Sequence, residues 1–115
     1  MEKIAAYQAA ILDLLQACNE TFPPTDGIEN QLIIDRENHH YLFMPVGFFR
    51  GRRFYGPLVH FDIKEGRIWI QVNNTEIEVD KALMRRGVPE EDIEIGFQSP
   101  SFRELAREMR REGYS

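Results

Sequence analysis

From Leu58 to Asn73 the chain reads LVHFDIKEGRIWIQVN, and apolar and polar positions alternate with a period of two on both sides of Glu65-Gly66. That period marks two half-buried strands joined as a β-hairpin. A two-residue turn opposes Ile63 to Ile68, Phe61 to Ile70 and Val59 to Val72, all on one apolar face. The other face then carries Lys64 with Arg67, Asp62 with Trp69, and His60 with Gln71. A three-residue loop mixes the two faces, and one face must be buried, so the two-residue turn is preferred. A type I′ turn needs positive φ at Glu65, a conformation that Asp or Asn adopts more readily.

Elsewhere the period changes. Ile4, Tyr7, Ile11, Leu14 or Leu15, and Cys18 recur at three- and four-residue spacing, which predicts an amphipathic helix over 2–19. Pro23 and Pro24 stop it. Ile28 to Asp35 reads as a first strand and Tyr41 to Phe48 as a second. Pro45 interrupts the second, which suggests an edge or a bulge. The segment 49–53 reads as a charged turn, with Phe54 onward feeding the third strand. Four strands with short connections predict an antiparallel meander.

Two helices are expected to follow. Thr75 and Glu78 have capping-box spacing and place a helix start at Thr75, with Val79 and Leu83 facing the sheet. Gly87 and Pro89 end that helix. Ile93 to Phe97 reads as a brief strand or an extended segment. Ser101 and Glu104 repeat the capping-box spacing and predict a last helix from Phe102 to about Glu112. Glu104 with Arg107, and Glu108 with Arg111, are spaced to pair on it. Its apolar content is thin, so it is either loosely docked or completed by a partner. The expected architecture is α+β: an N-terminal helix, a meander of about four strands, then two helices.

With 115 residues, 43% of them hydrophobic, the chain has the size and composition of one folded domain. A net charge of −5 argues against a general nucleic-acid binder. The charge is uneven: residues 1–49 carry seven acids and two bases, and residues 50–73 five bases and two acids. The single cysteine, Cys18, excludes an internal disulfide and reads as a packed thiol. No apolar run approaches 18 residues. The expectation is a cytoplasmic protein with no membrane span and no cofactor.

Candidate chemistry is sparse. His39 and His40 are adjacent, so on a strand they point to opposite faces, and at most one can join His60 and Asp62. They read as solvated turn histidines, and no metal site is expected. His60 and Asp62 point the same way and form a conceivable acid–base pair, the basis of a hydrolase alternative. No nucleophile or glycine-rich phosphate loop accompanies them, and no catalytic residue is assigned. Arg50, Arg52 and Arg53 lie among Phe48, Phe49, Phe54 and Tyr55, a composition that suits a protein interface or stacking on bases. Glu90, Glu91, Asp92 and Glu94 read as a solvated acidic turn. The expected partner-binding set is Phe49, Arg50, Arg52, Arg53, Tyr55, His60, Asp62 and Trp69. Direct DNA binding through Arg50, Arg52, Arg53 and Arg67 is the alternative, and unpaired sheet edges also leave room for a homo-oligomer.

An ordered series of residues resembles the XisI family, the fdxN-element excision controlling factor proteins. It begins with Asn30-Gln31-Leu32, Tyr41, Val46-Gly47, Arg53 and Tyr55-Gly56. It continues through His60-Phe61-Asp62-Ile63-Lys64, Gly66, Ile68-Trp69-Ile70-Gln71 and Thr75-Glu76. It closes with Gly87-Val88-Pro89, Asp92-Ile93, Gly96-Phe97, Pro100 and Arg103. The likeness spans roughly residues 1–103, and the charged tail 104–115 falls outside it. The resemblance implies a small α+β domain with an antiparallel sheet. It implies an accessory role in programmed, site-specific DNA element excision during heterocyst development in cyanobacteria. It also implies an XisH-like protein as partner, with a separate recombinase cutting and joining the DNA.

Overall fold

The structure, a computed structural model, describes residues 2–111, with side chains through Met109. Ten elements follow in order: helix α1 (Glu2–Thr21), strands β1 (Ile28–Asp35), β2 (His40–Phe49), β3 (Arg52–Tyr55), β4 (Val59–Lys64) and β5 (Arg67–Asn73), helix α2 (Val79–Arg85), a 3₁₀ turn (Glu90–Asp92), strand β6 (Ile93–Ile95) and helix α3 (Pro100–Arg111). Glu112 and the rest of the predicted tail to Ser115 lie outside the described residues.

The six strands form one sheet, ordered β1-β2-β4-β5-β6, with β3 on β2 beyond the end of β4. The α+β class and the helix–sheet–helices order are as expected; the sheet is larger. Arg52–Tyr55, read as part of a turn and a lead-in, is a strand of its own, because Arg50 and Gly51 turn in two residues with φ of 52° and 77°. Strand β6 runs parallel to β5, so the meander closes with a β–α–β crossover through α2.

Tyr7, Ala10, Ile11, Leu14, Leu15 and Cys18 of α1 are buried. They pack with Tyr41, Phe43, Val59, Phe61, Ile63, Ile68 and Ile70 from one face of the sheet, and with Val79, Ala82 and Leu83 of α2. Burial pushes the Cys18 thiol up from its ordinary value, as expected of a packed thiol.

The central hairpin keeps most of the predicted register: Lys64 opposes Arg67, Ile63 opposes Ile68, Asp62 opposes Trp69 and Phe61 opposes Ile70. A β-bulge then shifts it. His60 pairs with Val72 and Val59 with Asn73, replacing the expected pairs with Gln71 and Val72. Gln71 is the extra residue, and strict alternation in the sequence concealed it.

Pro45 sits inside the sheet. Phe43 O accepts from Leu58 N, whereas Phe48 N donates to Gly27 O, so odd and even residues of β2 direct their backbone polar groups to opposite sides. Pro45 therefore directs its protonless nitrogen away from β1. On that side β4 pairing ends at Phe43 and β3 pairing begins at Val46, so no ladder bond is lost. Where β1 starts, the backbones approach so closely that a Cβ on Gly47 would lie 1.9 Å from Gly27 O.

Helix starts also differ from expectation. Thr75 does not begin a helix: Asn73 Oδ1 accepts from its N–H and its hydroxyl, and Thr75 Oγ1 accepts from Ile77 N. This nested turn delays α2 to Val79, with no side-chain cap. At its end, Gly87 N–H bonds Met84 O and Val88 N–H bonds Leu83 O, with Gly87 at φ 95°, the expected glycine stop. Ser99, not Ser101, caps α3: its Oγ accepts from Phe102 N, and Pro100 takes the first helical position, where a missing N–H costs nothing. Arg107 Nη1 lies 3.5 Å from Glu104 as the spacing predicted; the Arg111 side chain lies outside the described residues.

Candidate functional site

Cross-strand partners share a face, so the register places His40, His60, Asp62, Trp69 and Glu94 together on the side of the sheet away from α1. Asp62 is the hub. Its Oδ1 lies 2.7 Å from His40 Nδ1 and 2.7 Å from His60 Nε2. Gln71 donates to Oδ2 at 3.2 Å. Burial raises the Asp62 pKa, but hydrogen bonds from His40, His60 and Gln71 outweigh it and hold the carboxyl below its ordinary range. His39 points to the opposite face, with Nδ1 3.2 Å from Tyr41 Oη. His40, read as a solvated turn residue, is thus the one histidine of the adjacent pair that joins His60 and Asp62.

The ring of Trp69 is held between Lys64 Nζ, 4.2 Å from its centroid, and the Arg103 guanidinium at 5.2 Å. Beside it lies Glu94, only 3% exposed. Glu94 Oε2 accepts from Arg67 Nη1 at 2.9 Å and from Arg107, and Arg103 Nε lies 3.5 Å from Oε1. Glu94 is therefore not part of a solvated acidic run. It is the buried anchor that three arginines grip, and two of them belong to α3.

The β2–β3 hairpin carries the remaining candidates. Arg53 lies over both Phe48 and Tyr55, with ring centroids at 5.0 and 5.4 Å. Phe48 and Tyr55 are 56% and 70% exposed. Arg52 lies over Phe54 and Arg50 over Phe49.

The predicted set is therefore divided. Arg53 and Tyr55 share the face of His60, Asp62 and Trp69, whereas Phe49 and Arg52 pair on the opposite face. Tyr55 opposes Val46 and His60 opposes Leu42, four positions along β2, so the two clusters are about 13 Å apart. Nor do the four arginines of the DNA alternative converge: Arg67 sits across β4 from β2 and is engaged by Glu94.

The sequence reading assigned no role to Gln71, took Glu94 for part of a solvated run, and noted the thin apolar content of the last helix without resolving where that stripe faces. Alternation across Ile93-Glu94-Ile95 signals that Glu94 faces away from its apolar neighbours. The stripe is Phe102, Leu105 and Met109, which are 53%, 53% and 43% exposed, with Phe97 nearby in sequence at 59%. Among the described residues, no helix is long and apolar enough to cross a membrane.

Comparison with known proteins places the chain. The family model described as XisI protein matches residues 1–107. A solved XisI-like protein from Anabaena variabilis ATCC 29413 is similar at 38% identity and a TM-score of 0.85, over 89% of this chain and 94% of that one. The fdxN element excision controlling factor XisI from the same organism is similar at 27% identity and a TM-score of 0.77, over 90% and 94% of the two chains. No curated protein matches.

Proposed function

The chain belongs to the XisI family, and from that premise we propose that it is a non-enzymatic accessory factor for programmed DNA element excision that works by binding an XisH-like partner protein. The excision role rests on the likeness to the fdxN element excision controlling factor. The XisH-like partner rests on the family resemblance.

The observation that carries a binding role is the β2–β3 hairpin. It projects beyond the end of β4, with β3 paired to β2 alone among the described residues, and presents Phe48 and Tyr55 to solvent with Arg53 over both rings. A monomer gains nothing by exposing two large rings. An interface gains from an arginine–aromatic anchor, because such groups bury much area and lose few rotamers.

The test is a tagged pull-down from native lysate with mass spectrometry. Wild-type chain is expected to recover an XisH-like protein in stoichiometric amount. Together, Arg53→Ala, Tyr55→Ala and Trp69→Ala are expected to abolish recovery while the melting transition stays cooperative. Recovery that survives the triple variant sinks the interface. Recovery of nucleic acid alone, lost steeply with added salt, sinks the partner reading in favour of direct DNA contact.

A further inference from the structure

We propose that His40, His60 and Asp62 form a binding site for a divalent transition metal, zinc foremost. The site is independent of the partner-binding reading above.

Three donor atoms carry the argument. His40 Nδ1, His60 Nε2 and an Asp62 carboxylate oxygen lie within 4.8 Å of one another. Two imidazoles and one carboxylate are a donor set that holds zinc or ferrous iron while leaving coordination positions open. The scaffold is rigid, because all three residues stand on paired strands. His40 and Asp62 are direct cross-strand partners, and His60 is two residues from Asp62 on the same face.

The geometry between the donors is informative. One oxygen, Asp62 Oδ1, lies at hydrogen-bond distance from both ring nitrogens, so each nitrogen must present a proton to it. A metal ion takes the place of those protons, which move to the far ring nitrogen of each neutral imidazole, and binds the same three lone pairs. Zinc bonds of about 2.0–2.2 Å hold tetrahedral donors roughly 3.3 Å apart, so each ring nitrogen has to draw back from Oδ1 by about half an ångström while the two nitrogens settle to the same spacing from within 4.8 Å of each other. His40, with 49% of its side chain exposed, has room to give. The side chains of His60 and Asp62 are more enclosed, at 24% and 16%, and fix the inner half of the site.

An outer support is already present. The Gln71 amide holds Asp62 Oδ2 and so aims the carboxylate, the role that residues behind metal ligands commonly play. The solvent-facing side leaves space for water or for one ligand from another molecule.

The experiment uses the purified full chain with any affinity tag removed, titrated with Zn²⁺ by calorimetry and with Co²⁺ by visible absorption. One equivalent is expected to bind. Co²⁺ should develop ligand-field bands of a nitrogen–oxygen site. His60→Gln and Asp62→Asn are expected to weaken binding about a hundredfold, and Gln71→Ala about tenfold. His39→Gln, on the opposite face, is expected to leave it unchanged. Circular dichroism of each variant separates lost ligation from lost folding. Failure of the folded wild-type chain to bind one saturable equivalent overturns the proposal, leaving a hydrogen-bonded triad only. Binding that persists unchanged in folded His60→Gln and Asp62→Asn overturns it as well.

Discussion

Arg67 on β5 and Glu94 on β6 are joined across a parallel strand pair, Nη1 to Oε2 at 2.9 Å, with the carboxylate 3% exposed. An isolated carboxylate at that depth is costly, and the compensation comes from Arg67 together with Arg103 and Arg107 of α3. The helix is thus docked by charge. Glu94→Gln keeps the shape and removes the charge, leaving three arginines crowded around a neutral amide. We expect a loss of about 1–3 kcal/mol in urea denaturation, with amide exchange accelerated most in α3. Unchanged exchange in α3 contradicts this account of its docking.

Glu65 adopts φ 57° and Gly66 φ 74°, the pair of positive values that a type I′ turn requires. Glycine adopts such a conformation freely, whereas a glutamate pays for it. Asparagine tolerates it because its short polar side chain bonds locally. Glu65→Asn is therefore expected to stabilise the chain by about 0.5–1 kcal/mol. The measurement is the denaturation midpoint at constant slope; a fall in the midpoint contradicts the strain.

The same hairpin shows how far the sequence could be read. Alternation from Val59 to Ile70 reveals the faces and the turn, because one buried face leaves a single workable register. Nothing in the alternation marks the shift at Gln71, which exists only as a mismatch between two strands. The second hairpin was hidden for another reason: Arg52 and Arg53 look like turn residues until pairing with Phe49 and Phe48 makes them a strand. The parallel placement of β6 depends on contacts distant in sequence, and so does the burial of Glu94, whose arginines lie at positions 67, 103 and 107. In the polar cluster, the shared face of His60 and Asp62 follows from spacing alone. That it is His40, and not His39, that joins them follows only from the β2–β4 register.

Tyr7 and Asp92 tie α1 to the turn before β6 and give stability a dependence on pH at both ends. The Tyr7 hydroxyl donates to Asp92, and burial together with that carboxylate pushes its pKa up from 10.0 to about 12. Burial raises the Asp92 pKa, but the bonds from Tyr7 and Lys3 outweigh it and hold the carboxyl below its ordinary 3.8. The raised group contributes stability that is whole below pH 10 and lost as pH rises toward about 12. The depressed group contributes stability that is present above pH 3.8 and lost as pH falls below it. Tyr7→Phe should therefore flatten the alkaline fall and shrink the acid one, since Lys3 remains on Asp92. Matched urea midpoints for the two proteins below pH 10 and near pH 12 provide the check. Parallel curves would remove Tyr7 as the source.

Helix α3 carries its chemistry in an unusual arrangement. Arg103 and Arg107, one turn apart, grip Glu94, while Phe102, Leu105 and Met109 form an i, i+3, i+7 stripe about two fifths of a turn away, all substantially exposed. An amphipathic helix normally buries its apolar side, and here that side faces solvent, so this chain's stability should not rest on it. Phe102→Ser with Leu105→Ser is expected to change stability by no more than about 0.5 kcal/mol, because no cavity forms and no polar group is stranded. Arg103→Ala with Arg107→Ala is expected to destabilise, because Glu94 loses two of its three cations. Denaturation midpoints for the two double variants separate the cases. If the serine pair is the more damaging, the stripe packs inward and α3 is held by apolar contact. If the alanine pair is, the helix is held by charge and its apolar side is left open for another surface.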